Sequence, residues 1–408
     1  MNSSSQSAAT EAAAKSKRLW LAIVLGALSA FGPLSLDMYL PALPAMATDF
    51  QTTTSAVQLS LTACLLGLSL GQLFAGPLSD IQGRRKPLLI GLAIYAVASI
   101  LCVFSTSIWA LVALRFIQGA AGSAGIVISR AMVRDIYVGP ELTKFFALLM
   151  LVNGVAPIAA PIFGSQLLLF TPWEGVFVVL GAIGIIMLLV VLFGLPESLP
   201  VERRSTGGFK NTLVTFKNLF VDKMFMGFAL SQGLVIAAMF AYISGSPFVL
   251  QNMFGVSAQM FSVFFAINGL GIILASQITG KLAGKISESK LMISGLILAA
   301  IGGVSLLIVI LLGAGLYAIL PPLFIIVSCV GIVSTAGFSL AMQSQGKAAG
   351  SASALLGVLS LIFGALLAPL VGIGGSGTAV PMGIVIAVAD VGALLCYYFM
   401  VHKGKPTS

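Results

Sequence analysis

The feature that most restricts this chain is a succession of long apolar stretches separated by short polar ones. Hydropathy marks twelve, at residues 19–43, 55–78, 87–105, 107–130, 142–166, 172–195, 224–249, 257–281, 290–313, 316–341, 348–372 and 378–401. Each has the roughly 20 residues needed to cross a ~30 Å hydrocarbon core. A helix satisfies its own backbone within lipid, so the chain reads as an all-α polytopic membrane protein with twelve transmembrane helices. Composition agrees. Of 408 residues, 59% are hydrophobic and only 8% are charged, whereas soluble domains carry about 25% charged residues.

The few charges are strongly ordered. Of the 21 basic residues, all except Arg115 fall in the N-terminal tail, the C-terminal tail or alternate connections. The remaining connections hold only Asp49 and Glu174. The positive-inside rule then places both termini and the basic connections in the cytoplasm. Although the net charge is +9, the bases are dispersed between apolar runs rather than gathered in a nucleic-acid-binding patch. The longest connection divides the chain into a polar tail (1–18), a first six-helix half (19–195), a linker (196–223), a second six-helix half (224–401) and a short tail (402–408). Within the linker, Phe209, Leu213, Phe216 and Phe220 recur at helical spacing, with Lys210 and Lys217 between them. This pattern predicts an amphipathic helix on the inner leaflet.

Three ionisable residues lie well inside apolar spans, where each costs at least about 2.5–3.5 kcal/mol at mid-bilayer and is a functional candidate by default. Asp37 is flanked by Pro33 and Pro41, which loosen the first helix and free backbone carbonyls. A carboxylate there is placed to take and release a proton in each cycle. Arg115 lies in the fourth span at a similar expected depth and keeps its charge, so the two are expected to form a coupled pair in a central cavity. Asp390, in the last span, is either a second proton site or a protonated group bonded between helices. Uncharged polar residues within spans, among them Gln118, Asn153, Tyr242 and Asn268, would line a mostly apolar pocket together with Met239. Methionine and aromatic side chains repack readily, which suits amphiphilic ligands of varied shape better than sugars.

Other chemistries lack their parts. Cys64, Cys102, Cys329 and Cys396 sit inside apolar runs without metal-ligand spacing, and His402 is the one histidine. No metal or cofactor is implied. A membrane enzyme would need acids or histidines clustered at a membrane surface, and this sequence offers isolated ones.

The stretch Gly76-Pro77-Leu78-Ser79-Asp80-Ile81-Gln82-Gly83-Arg84-Arg85-Lys86 joins the second and third spans. It resembles the signature loop of the major facilitator superfamily of secondary transporters, and the run Arg115-Phe116-Ile117-Gln118-Gly119 in the fourth span separately resembles that superfamily. Within that superfamily, Leu36-Asp37-Met38-Tyr39-Leu40-Pro41 is similar to the first-helix signature of the Bcr/CflA drug–proton antiporters. Arg130-Ala131-Met132-Val133-Arg134-Asp135 and Tyr242-Ile243-Ser244-Gly245-Ser246-Pro247-Phe248 also resemble that subgroup. The resemblance implies the major facilitator fold, with two six-helix halves rocking about a central site. It further implies roles in proton coupling and substrate recognition for Asp37 and Arg115. A latch would be formed on the cytoplasmic side by Gly76, Asp80, Gly83, Arg84, Arg85, Arg134 and Asp135, with Asp80 capping a facing helix and Arg84 pairing with Asp135.

The expectation is therefore a monomeric, proton-driven exporter of small amphiphilic drugs or metabolites in a bacterial inner membrane. A proton-coupled nutrient or metabolite symporter of the same fold is the alternative.

Overall fold

A computed structural model describes residues 19–204, 217–343, 345 and 349–402. The chain is helical from end to end, in the order α1 (Leu19–Asp49), α2 (Thr54–Gln82), α3 (Arg85–Val103), α4 (Ile108–Ile136), α5 (Gly139–Leu167) and α6 (Glu174–Gly194), followed by α7 (Lys223–Met253), α8 (Ala258–Leu282), α9 (Glu288–Leu311), α10 (Leu316–Gln343), α11 (Ala352–Gly372) and α12 (Val380–Val401). Eleven of these are long and apolar enough to cross a membrane, and α5 contributes a shorter apolar segment, Leu151–Leu167. The linker helix expected around Phe209–Phe220 falls largely outside the described residues.

Helix starts follow local capping chemistry. The Thr53 hydroxyl accepts from the Ala56 N–H at 3.2 Å, Ser257 accepts from Met260 at 3.2 Å, and Asp222 accepts from Met224 at 3.0 Å and Phe225 at 3.1 Å. The first span is interrupted as its prolines predict. An α-helix ends at Asp37, Leu40–Ala42 form a 3-10 turn with Pro41 near its start, and the helix resumes at Leu43. By contrast, α4 runs four residues beyond the point where hydropathy falls and then two more, reaching Ile136. The expectation that Arg130 and Arg134 lie in a connection is corrected: both are helical.

Both halves contain helix crossings tight enough to require glycine. A Cβ on Gly119 of α4 would strike the Cys64 carbonyl of α2, and one on Gly331 of α10 would strike the Ile272 carbonyl of α8. Small residues permit such backbone contact between lipid-embedded helices. Between the halves, α2 packs on α11 and α5 on α8. The exchange of α2 with α8 and of α5 with α11 is the pattern of two related halves about a shared axis.

The cores reveal how the halves meet. At the end opposite the basic residues, one hydrophobic cluster joins Tyr39, Leu61, Leu111 and Phe177 of the first half to Tyr242, Phe261, Leu323 and Ile386 of the second. At the base-rich end there are two clusters instead. One, around Leu25, Tyr95 and Met132, belongs to the first half; the other, around Phe225, Met292 and Leu356, belongs to the second. Large apolar side chains such as Phe74, Phe163, Phe193 and Leu274 are exposed around the outside, as expected of a surface that faces lipid.

Candidate functional site

A cavity of about 510 Å³ lies between the halves. It is closed at the end away from the bases by hydrogen bonds that cross from one half to the other. Gln58 Nε2 donates to the Ser244 carbonyl at 3.0 Å, Gln251 Nε2 to Pro41 at 3.2 Å, Gln259 Nε2 to Ser165 at 2.9 Å and Ser262 Oγ to Pro161 at 2.9 Å. Toward the base-rich end the lining continues to Gln72, Arg130 and Gly357. A Cβ built on Gly357 meets nothing within 4 Å.

Asp37 lines this cavity and is 5% exposed. Among the described residues it has neither a hydrogen-bond donor nor an ion-pair partner. The helix interruption just after it leaves the carboxylate on the cavity wall. Asn153, Met239, Tyr242 and Asn268 line the same space. Asn268 Nδ2 donates to the Tyr242 hydroxyl at 2.8 Å, and the Tyr242 ring stacks on Phe265 with centroids 5.8 Å apart. Asn153 is tied to its own helix through the Leu149 carbonyl at 2.8 Å and reaches Ser29 Oγ at 3.3 Å.

The expected pairing of Asp37 with Arg115 is not found. Arg115 is fully buried within the first half and is not part of the cavity wall. Its guanidinium donates to Gln118 Oε1 and to the Ser35 carbonyl at 2.6 Å, and lies 4.3 Å from the centre of the Tyr39 ring. Gln118 Nε2 continues to Ser99 Oγ at 2.7 Å, and Ser35 Oγ meets the Tyr95 hydroxyl at 2.8 Å. Arg115 and Gln118 thus tie α1, α3 and α4 together, with the α6 residue Phe177 5.6 Å away. Guanidinium suits this place because its planar fork serves two acceptors while its face stacks on a ring.

Asp390 is also remote from the cavity. It is fully buried, and among the described residues neither carboxylate oxygen has a hydrogen-bond partner. A Cβ on Gly303 of α9 would lie 3.1 Å from its Oδ2. The structure places it between helices of the second half without the interhelical bond that was one of the two alternatives for it.

The loop at residues 76–86 forms a charged cluster at the base-rich end. Gly83, at φ 91°, turns the chain so that Arg84 points back at α2 and α4. Arg84 Nε donates to Asp135 Oδ2 at 2.8 Å and Nη1 to Ser79 Oγ at 2.8 Å, and an ion pair joins it to Asp80. Burial opposes the Arg84 charge, but the hydrogen bonds that Arg84 donates to Asp135 and Asp80 outweigh it and raise the guanidinium above its ordinary range. The Arg84–Asp135 pair is as anticipated, whereas Asp80 pairs with Arg84 instead of capping a helix. The cap is Glu197, which sequence reasoning missed. It accepts from the Arg84 N–H at 2.8 Å, Arg85 at 3.1 Å and Leu199 at 3.0 Å. Partial burial works against ionised Glu197, yet these donors, with Arg204 nearby, lower its carboxyl below the ordinary value. Arg85 donates to the Leu192 carbonyl, and Arg134 is exposed outside the cluster. Gly76 lies in α2, where a Cβ would touch Val127 at 3.4 Å. All these partners come from the first half or the segment just after it.

Comparison with known proteins agrees with this architecture. The MFS-type transporter YdgK of Bacillus subtilis, itself uncharacterized, is 47% identical over 94% of this chain and 95% of its own. A bicyclomycin resistance protein homolog of Haemophilus influenzae is 28% identical over 93% and 96%. The multidrug resistance protein MdtL of Escherichia coli is 27% identical over 92% and 94%. The subgroup suggested by the first-helix signature is thus represented among the relatives. Among solved structures, the nucleoside transporter NupG superposes with a TM-score of 0.77 at 14% identity, covering 94% of this chain and all of that one, which shows the common fold. The pattern of the Major Facilitator Superfamily itself matches residues 19–369, and the chain belongs to that family of transporters.

Proposed function

We propose that this transporter exports small amphiphilic compounds across a bacterial cytoplasmic membrane in exchange for protons, with Asp37 as the exchange site. The observation that carries this reading is an unpartnered carboxylate, 5% exposed, on the wall of a cavity between two halves. An ionised carboxylate without a partner is costly to bury, so Asp37 favours a proton, a cationic group or water beside it. Proton and substrate therefore compete for one group. Different affinities of the outward-open and inward-open states for the two ligands supply the coupling that alternating access needs. The likeness to drug-resistance relatives supports export.

The base-rich end is taken as cytoplasmic by the positive-inside rule, with both termini on that side and the protein acting as a monomer. The halves then stand open inward. The Arg84 cluster serves in this scheme as the inner latch, disengaged from the second half in this state, and residues 196–223 link the halves. Arg115 and Gln118 contribute by holding α1 in place, so their influence on coupling is indirect.

Substrate-induced proton release from the purified chain, screened over neutral, cationic and anionic drugs, tests the proposal. Release is expected in the native protein and absent in Asp37→Asn. Unchanged release in a well-folded Asp37→Asn protein would refute the assignment.

A further inference from the structure

The cavity wall holds a second charge that the exchange scheme leaves unused. Arg130 lies on α4, six residues before its end at Ile136, and lines the cavity. Among the described residues its Nε, which is shielded from solvent, has no hydrogen-bond partner, and no carboxylate is within ion-pair distance of its guanidinium. The two buried arginines differ in having acceptors on the chain: Arg84 meets Asp80 and Asp135, and the terminal nitrogens of Arg115 meet Gln118 and the Ser35 carbonyl, although Arg115 Nε is likewise without a partner. A guanidinium stays charged, and donors left unmade in a shielded place are costly. The fork of Arg130 is therefore open to an acceptor that arrives from outside the chain.

Asp37 and Arg130 address the same space from opposite ends. The antiparallel helices α1 and α4 meet where a Cβ on Gly32 would touch Ile126 at 2.9 Å. Asp37 is five residues beyond Gly32 toward the sealed end, and Arg130 is four beyond Ile126 toward the open end. At 1.5 Å per residue the two positions are offset by about 13 Å along the bundle, too far for a direct pair. The rest of the wall is mostly apolar and includes the side chains of Met239, Phe240, Tyr242 and Phe265.

We infer that the cavity is built for a bipolar ligand: an amine at one end to meet Asp37, an acidic group at the other to meet Arg130, and an aromatic body between. The inference rests on the reading of this cavity as the transport site and adds the substrate class. Each single charge satisfies one pole and leaves the other bare. A molecule with both gains two charge-assisted hydrogen bonds. Protonation of Asp37 loosens the amine end alone, so the acidic end stays the last contact on the side facing the open end.

A matched set of rigid probes tests this: 4-(aminomethyl)biphenyl, biphenyl-4-carboxylate and 4′-(aminomethyl)biphenyl-4-carboxylate. Binding is measured by equilibrium dialysis against the full chain in nanodiscs of uncharged lipid. The bipolar probe is expected to bind at least about tenfold more tightly than either singly charged probe, the worth of one charge-assisted hydrogen bond. Arg130→Gln should remove its advantage over the amine, Asp37→Asn its advantage over the acid, and Arg130→Lys should restore part of the former. The inference is overturned if the bipolar probe fails to bind, binds no better than the tighter singly charged one, or keeps its advantage in Arg130→Gln. Gly357→Trp, which introduces a ring into open space on the wall, separates the two readings. Binding of all three probes that survives this variant removes the cavity as the ligand site. Binding that is blocked by it but shows no bipolar advantage removes the bipolar inference alone.

Discussion

Glu197→Ala removes the one carboxylate that receives the start of α3. The N–H groups of Arg84 and Arg85 belong to the first turn, where a helix offers no acceptors of its own. Glu197 supplies them from 113 and 112 residues away at 2.8 and 3.1 Å. Loss of a capping side chain costs about 0.5–2 kcal/mol, and loss of a negative charge from a helix N-terminus about 0.3–1 kcal/mol. Because Glu197 is exposed on its far side, the lower part of the combined range applies, about 1–2 kcal/mol. That corresponds to a roughly five- to thirtyfold rise in local opening. Hydrogen–deuterium exchange read by mass spectrometry on peptides covering 83–92 measures it in the purified protein. Glu197→Gln keeps an acceptor but loses the charge, and should give a rise of only about threefold. The pH dependence has a defined sign. The folded carboxyl sits below its ordinary value of 4.5, so its contribution is present above about pH 4.5 and is lost as pH falls through the lower, folded value. Exchange within twofold of native in Glu197→Ala would refute the cap, as would a rise spread evenly over all helices.

The other expectations concern residues whose surroundings differ from their surface chemistry. Arg115→Lys loses the bidentate geometry and the stacking on Tyr39, so thermal stability in detergent should fall by the equivalent of about 1–3 kcal/mol; an unchanged melting point with altered proton release would move Arg115 back to direct coupling. Gln58→Leu deletes a bond that seals the cavity at the end away from the bases, which should shift the equilibrium toward opening at that end by about 1 kcal/mol, or roughly fivefold. Spin labels at Thr53 and Gly375 would report a longer distance, and an unchanged distribution would exclude a sealing role. Asp390→Asn relieves the burial of an ionisable group without a partner, so stability at neutral pH should rise or hold, with proton release intact. Loss of release would return Asp390 to the transport cycle.

The twelve spans, their alternating charge and the intramembrane acids were legible in the sequence because each depends on local physics. A bilayer demands a minimum apolar length, and a base next to a span stays on one side whatever the rest of the chain does. The break beside Asp37 was legible for the same reason, since proline acts on its own helix. The end of α4 was not. Hydropathy marks where a chain becomes polar, and a helix that faces a cavity can become polar before it ends, which hid Arg130 among the loop bases. Glu197 carried no local mark at all, being a loop acid after a proline.

What the sequence alone determined, then, was the membrane-spanning class, the number of the helices and the short list of costly charges. Which of those charges meet was decided only by the fold. Asp37 and Arg115 lie at similar depth on neighbouring helices, yet the rotation of α1 and α4 turns one toward the cavity and the other into the packed interior. Depth is set by the distance along one chain segment, whereas facing is set by how several helices pack together, and no single segment contains that information.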